Sequence, residues 1–380
     1  MTPASRLERI NAALLEPFVR KALSSEEAMV ARWDCDVIKG TWTPPGRIVC
    51  HLTGQARSGA RPVPWSLYLR IPEPPMSHRD PVRREPFHRD LMLYGSGILD
   101  RLPDGIAAPR LLGVTEHPDD EPWMWFEDAG ADEAIGWPQE RFGLAAFHLG
   151  RMHGAFLESP DMSAWPRLDR SHWSRQGMAR MLTRADVPAV FTRFEGHPLT
   201  NALWDTDLGA GIRRLWSERE AFAEALDGLP RTLCHGDFCM PNLMSRLRGD
   251  GEDETVLIDW QYAGWSQIGA DIAGLIADSS ILPVRRKVAE PEEFTPMMLE
   301  AYLSGLRDAG CGDCLAVARF ACLAALAFRW AMCALLSLDG GVLRREPTSE
   351  NRAELEQRLD ASVRAQQFLL GLAEEAREFV

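Results

Sequence analysis

The spacing of apolar residues changes along this chain, and each change predicts a different kind of element. Near the start, Leu7, Ile10, Leu14, Leu15 and Phe18 recur every three or four positions, which predicts a helix over residues 1–29. From Trp33 the pattern shortens to alternation. Strands are predicted over residues 37–42, 48–57 and 65–71, separated by segments 43–47 and 58–64 that carry turn-forming Gly and Pro. Further strands are expected at 107–114 and 122–129. Beyond Gly130 the helical period returns. Residues 139–157 place Phe142, Leu144, Ala145, Leu149, Met152 and Phe156 on one face, and helical patterns recur at 208–226, 296–338 and 349–379. Within this helical part, two short apolar runs at 231–234 and 255–258 read as strands. A strand-rich beginning followed by a helical remainder predicts an α+β protein.

A length of 380 residues suggests two domains, each large enough for its own core. A net charge of −13 argues against a nucleic-acid surface, which is normally basic, and is compatible with a cationic partner. The start of the chain lacks the basic-then-apolar layout of a secretory signal. The apolar run 315–338 is long enough to span a bilayer, but Arg319 and Arg329 interrupt it and many of its residues are alanine, so a buried helix is expected instead of a membrane segment. A cytoplasmic location follows as the expectation. The eight cysteines fit a reducing compartment. The Cys311/Cys314 pair has neither a converging zinc set nor a thioredoxin-like βαβ setting around it.

Candidate chemistry concentrates in residues 233–260. Asp237 and Asn242 lie in the segment after the run 231–234, and Asp259 ends the run 255–258. The expected geometry is one strand–loop–strand hairpin. Two carboxylates and a carboxamide on such a hairpin can hold a divalent metal against a polyphosphate, because Mg²⁺ takes oxygen ligands and shares its sphere with substrate phosphates. A polar turn between two strands is the plain alternative for such a spacing.

The string His235-Gly-Asp-Phe-Cys-Met-Pro-Asn242 fits H-G-D-x-x-x-x-N, and Ile258-Asp259-Trp260 follows. In this the chain resembles the aminoglycoside phosphotransferase and choline kinase group. The resemblance extends over roughly residues 35 to 335. It implies a bilobal, protein-kinase-like fold: a small antiparallel-sheet lobe that binds nucleotide, residues 1–128, and a larger, mainly helical lobe, residues 129–380. It also implies a Mg²⁺-dependent kinase acting on a hydroxyl of a small molecule. ATP is the expected co-substrate, with GTP left open. Asp237 would orient the acceptor and take its proton, His235 would fix the loop, and Asn242 and Asp259 would bind the metal.

Trp65-Ser-Leu-Tyr-Leu-Arg70-Ile is similar to the family strand W-S-L-x-L-K-V. Arg70 stands at the ATP-contacting lysine position. Its acidic partner, expected as glutamate on the following helix (87–99), is Asp90, with Glu85 as an alternative. Arg with Asp still forms a bidentate pair, though its planar fork sets a different geometry from lysine. The main chain of Glu127 and Ala129 would pair with the base. Met124 and Phe126 would line its pocket or simply fill core. Leu149-Gly-Arg-Met-His153 resembles the family's L-G-x-L-H, with His153 structural. Asp271 would brace the Asp237 loop by accepting backbone N–H bonds. Residues 160–200, with Trp165, His172 and Trp173, resemble the insertion that shapes the acceptor pocket. The loop 43–47 is not glycine-rich, and Pro44 and Pro45 lack N–H donors. That loop and the Arg70/Asp90 exchange motivate an alternative function, a catalytically silent module that binds a nucleotide or metabolite.

Overall fold

The computed structural model describes residues 3–38, 47–59, 61–72, 89–117, 122–130, 132–159, 185–282 and 287–378. These form two compact units. The first contains residues 1–101, 107–132 and 244–261; the second contains 102–106, 133–243 and 262–380.

The first unit is built on a five-stranded antiparallel sheet. Its strands are β1 (Met29–Val37), β2 (Ile48–Ser58), β3 (Arg61–Ile71), β4 (Leu111–Thr115) and β5 (Trp123–Glu127), in the order β1–β2–β3–β5–β4. Alternation gives β3 two faces. Trp65, Leu67, Leu69 and Ile71 are buried in a core with Cys50, Leu52 and Ala56 of β2. Helix α2 (Ala12–Leu23) covers that face, with Leu15, Phe18 and Val19 in the same core and Phe18 stacked on Trp125 at 4.6 Å. The opposite face carries Ser66, Tyr68 and Arg70.

Two expectations need correcting here. The single helix over 1–29 is a short turn, α1 (Pro3–Leu7), followed by α2, because the Asn11 side chain accepts the Leu14 N–H at 3.1 Å and caps a new helix. The first described strand, Met29–Val37, begins eight residues before the expected start at Val37, and residues 39–42 of that expectation lie outside the described residues. As an edge strand it buries little on either face, so hydrophobic alternation does not reveal it.

Residues 89–95 form helix α3. From residue 244 the first unit also takes in the strand Leu243–Leu247, and with it Asp253–Leu257; these are sheet neighbours joined by a turn in which Arg248 N–H donates to Glu252 O at 2.9 Å. This corrects the single hairpin expected between 231–234 and 255–258. Arg231–Cys234 pairs instead with Gly264–Gln267 in the second unit. The short run Leu-Met-Ser-Arg-Leu, read as loop, is the strand that displaces it.

In the second unit, α4 (Gln139–Ala155) packs closely on α5 (Pro291–Asp308). Gly150 and Gly305 allow the approach, since a Cβ at either position would lie 2.1 Å or 2.0 Å from the other helix's backbone oxygen. The expected helix 208–226 is divided at Glu218 into Asp207–Ser217 and Arg219–Asp227. The expected 296–338 helix breaks at Gly310, which has φ +83°, before Leu315 starts again. The stretch Gly312–Leu343 is long and apolar enough to cross a membrane, but 78% of its most apolar window is buried within the protein, as a core helix is. The final helix, α6 (Arg352–Arg377), lies against it, with Gln366 Nε2 donating to Ala331 O at 2.9 Å.

Candidate active site

Two groups of residues carry candidate chemistry, one in each unit. In the first unit, Arg70 projects from the polar face of β3, paired across the ladder with Val49 and Met124. It forms a buried ion pair with Asp90 of α3. Arg70 Nη1 also lies 3.1 Å from Asp259 Oδ1, and its Nη2 donates to Gln261 Oε1 at 3.1 Å. Arg47, at the entry to β2, joins the same cluster: Nη2 donates to Asp259 Oδ1 at 3.0 Å and Nη1 to Gln261 Oε1 at 3.3 Å. Gln261 closes the arrangement by donating Nε2 to Asp259 Oδ2 at 3.0 Å.

Asp259 itself has φ +64°, a left-handed conformation that costs a non-glycine residue about 1–2 kcal/mol. The Trp260 indole anchors the turn by donating to Leu257 O at 2.8 Å. Burial, with the neighbouring Arg70 charge, holds the Arg47 guanidinium below its ordinary pKa, while Asp259 acts in the opposite direction. Burial and the Asp90 charge push the Tyr94 phenol well above its usual value, so Tyr94 stays neutral. Tyr94 packs edge-on against Phe126, with ring centroids 5.0 Å apart. Met124 is fully buried.

Glu127 ends β5. Its N–H donates to Arg110 O at 3.0 Å, and its carboxylate lies 3.3 Å from Arg110 Nε and 3.7 Å from Arg246 Nη1. Its side chain therefore serves the fold. Ala129 follows in the turn where Gly130 N–H donates to Asp128 Oδ1 at 2.9 Å. Asp128 is further held by Ser66 and His51. Burial alone would raise the Asp128 carboxyl, but those hydrogen bonds outweigh it and keep the pKa low.

In the second unit, the start of the segment 235–242 is tied down by the Asp271 carboxylate. His235 N–H donates to Asp271 Oδ2 at 2.6 Å and Gly236 N–H to Asp271 Oδ1 at 2.9 Å. Gly236 has φ +80°, and a Cβ there would meet Tyr262 O at 2.2 Å, so only glycine fits. Asp271 is held in turn by His153 Nε2 at 3.4 Å, and His153 Nδ1 meets the Tyr302 hydroxyl at 2.8 Å. Burial would raise the Asp271 carboxyl. The His153 hydrogen bond, the nearby His235 charge and the backbone donors outweigh that and hold it below the usual range.

His235 is fully buried, and its Nδ1 accepts the Asp237 N–H at 3.3 Å. His235 therefore shapes the turn that presents Asp237. Asn242 donates Nδ2 to the Asp237 backbone oxygen and to Asp237 Oδ2, both at 2.9 Å. Its amide nitrogen is thus committed to Asp237, leaving the amide oxygen for another partner. Asp237 is partly exposed.

A hard divalent ion takes oxygen donors. The carboxylate of Asp259 and the amide oxygen of Asn242 have that chemistry, so both residues fit the metal role that the motif implies. Three further residues join these clusters without having been singled out from the sequence. Arg47 and Gln261 meet Asp259 across a sequence gap of more than two hundred residues for Arg47, with no local pattern to announce it. Arg329 is buried, and burial pushes its pKa down to about 9 despite the nearby charges of Cys333, Asp271 and Asp237. An arginine inside an alanine-rich apolar run, one of two with Arg319, was the available signal for it. Glu85, Thr43 to Gly46, Trp165, His172 and Trp173 lie outside the described residues.

The family model for the phosphotransferase enzyme family, abbreviated APH, matches residues 56–311. This chain belongs to the phosphotransferase enzyme family. The match takes in Arg70, Asp90, Asp237, Asn242, Asp259 and Asp271. Among solved structures, the GDP complex of a mutant aminoglycoside 2'-phosphotransferase-IIIa is similar, with 13% identity, 95% of this chain and 99% of that chain covered, and a TM-score of 0.54. The GDP and kanamycin complex of APH(2")-IIia gives 12% identity, 92% and 97% coverage, and a TM-score of 0.51. A Plasmodium vivax ethanolamine kinase is 13% identical, with 88% and 81% coverage and a TM-score of 0.48. The first two support a protein-kinase-like α+β fold for this phosphotransferase-family chain. No curated protein matches it in sequence.

Proposed function

We propose that this phosphotransferase-family chain is a small-molecule kinase that moves the terminal phosphoryl group of a nucleoside triphosphate to a hydroxyl. The observation that carries the reading is the Asp237 turn. There a partly exposed carboxylate is fixed by the Asn242 amide at 2.9 Å, on a backbone that Asp271 grips through two N–H donors. Phosphoryl transfer needs little covalent work from a protein; it needs in-line positioning and charge neutralisation. In this reading Asp237 orients the acceptor hydroxyl and takes its proton. The acceptor oxygen forms its bond to phosphorus as the bond to the nucleoside diphosphate breaks. His235 and Asp271 position that carboxylate.

Asn242 and Asp259 hold a divalent ion, Mg²⁺, which supplies charge neutralisation on the phosphates when bound. Arg70, braced by Asp90, contacts the phosphates nearer the nucleoside, and the Glu127–Ala129 main chain pairs with the base. ATP is the expected donor, and the GDP complexes among similar structures keep GTP as a candidate. Kanamycin and the name ethanolamine kinase point to amine-bearing alcohols as the acceptor class to try first, and a net charge of −13 suits a cationic acceptor. The setting we propose is cytoplasmic, with neither nucleic acid nor membrane as partner. The Arg70–Asp90 ion pair weighs against the silent-module alternative, because the exchanged residues still meet.

Thermal unfolding with ATP or GTP and Mg²⁺ tests the reading. A ligand at a hundred times its Kd adds about 2.7 kcal/mol to apparent stability. Wild-type protein should shift upward with at least one nucleotide, and Asp259→Ala should lose most of that shift. Absence of a shift with either nucleotide would sink the proposal.

A further inference from the structure

Asp259 is shared by two guanidinium groups. Arg70 reaches its Oδ1 at 3.1 Å and Arg47 reaches the same oxygen at 3.0 Å. The two cations are not equally provided for. Arg70 has a second carboxylate, Asp90. Arg47 has Asp259 and the neutral Gln261 oxygen, and its buried Nε has no hydrogen-bond partner among the described residues. Its side chain is only 15% exposed, so bulk water does little to solvate the charge.

Consider the same cluster when Asp259 turns an oxygen to a divalent ion, as the kinase reading on which this inference rests requires. Arg47 then loses its anion and stands beside Arg70 and a dication. Three positive groups in one half-buried place need a multiply charged anion. A guanidinium fork matches phosphate oxygens bidentately, and here one fork has an unused N–H. In the sequence just before Arg47, the prolines at 44 and 45 lack backbone N–H donors, so a side-chain cation is the available substitute.

We propose that Arg47 is a second phosphate-binding cation, held on Asp259 in the free protein and transferred to the polyphosphate of a nucleotide when it binds. Arg47 thereby takes over part of the work that backbone N–H groups do in glycine-rich phosphate loops. It also keeps Asp259 neutralised until nucleotide arrives.

Calorimetric titration of the full chain with ATP, GTP and their diphosphates, with Mg²⁺ and separately with EDTA, tests this. A charged hydrogen-bond pair is worth about 1.5–3 kcal/mol, so Arg47→Ala should weaken nucleotide binding about tenfold or more in both buffers. Arg47→Lys should recover part of the loss. Mn²⁺ titrated alone, followed by electron paramagnetic resonance, should bind Arg47→Ala more tightly than wild type, because Asp259 has lost a competitor. Unchanged thermal unfolding of the free variants checks that they are folded. If wild type binds nucleotide and Arg47→Ala binds it within twofold of wild type, the role of Arg47 is refuted and the kinase reading stands. If wild type binds no nucleotide in either buffer, both fall together.

Discussion

Asp271→Asn is the substitution whose consequences can be worked out most fully. Asp271 is buried and accepts from two consecutive backbone N–H groups, those of His235 and Gly236. Hydrogen bonds to a charged acceptor contribute about 1.5–3 kcal/mol each, so the pair is worth about 3–6 kcal/mol. Asparagine keeps one acceptor oxygen and turns an NH₂ donor toward the other backbone N–H. The loss should therefore be about half, about 1.5–3 kcal/mol, which a domain with about 5–15 kcal/mol of stability survives. Urea unfolding at pH 7 measures it.

The pH dependence gives a second reading of the same group. The folded-state pKa of Asp271 is depressed, so its stabilising effect is present above the unfolded value near 4 and is lost as pH falls through the folded value. Wild-type stability should fall more steeply than that of Asp271→Asn below about pH 4. A variant within about 0.5 kcal/mol of wild type at pH 7 would refute the argument that these two bonds hold the Asp237 turn.

Removing Asp90 with Asp90→Ala leaves a buried guanidinium short of one carboxylate. Arg70 retains Asp259 and Gln261, so the cost should sit at the lower end of the range for a broken buried pair, about 3 kcal/mol by urea unfolding. A cost below about 1 kcal/mol would mean that the pair does not brace Arg70. His148 gives a separate pH signature. Burial, with Arg141 and Arg151 nearby, pushes its pKa from 6.5 down to about 4. Between those values the unfolded chain binds the proton and the folded chain does not, so stability declines as pH falls from about 6.5 to about 4. The gap corresponds to about 3 kcal/mol, and His148→Gln should flatten that part of the stability–pH curve; an equal slope in the variant would contradict it.

The parts of the site that were legible in sequence are those where a residue type answers a purely local demand. Gly236 is required by a left-handed turn against Tyr262, and Asp237 contacts both His235 and Asn242 within eight residues. Asp271, 35 residues after Gly236, was readable as a brace from the family resemblance and from its place at a helix start. Arg47 was not readable, since its meaning depends on contact with Asp259, 212 residues away. Most of the edge strand Met29–Val37 was not legible, because its exposed faces erase the alternation that marks a half-buried strand. The pairing of Leu243–Leu247 with Asp253–Leu257 was missed because a five-residue strand containing Ser and Arg looks like loop until a partner is present. Arg329 was noticed only as an interruption of an apolar run, although an arginine kept inside a buried helix is itself a sign of a charged neighbourhood.

The central claim is that Asp237 serves phosphoryl transfer to a hydroxyl. Its most direct test is nucleoside diphosphate release by wild type and Asp237→Asn against a panel of amino alcohols, aminoglycosides and other small hydroxyl compounds, with nucleotide affinity measured in parallel. Acceptor-dependent turnover is expected in wild type, with at least a hundredfold loss in Asp237→Asn, in keeping with the range for removing a general base, while the variant still binds nucleotide. Full turnover by Asp237→Asn would contradict it.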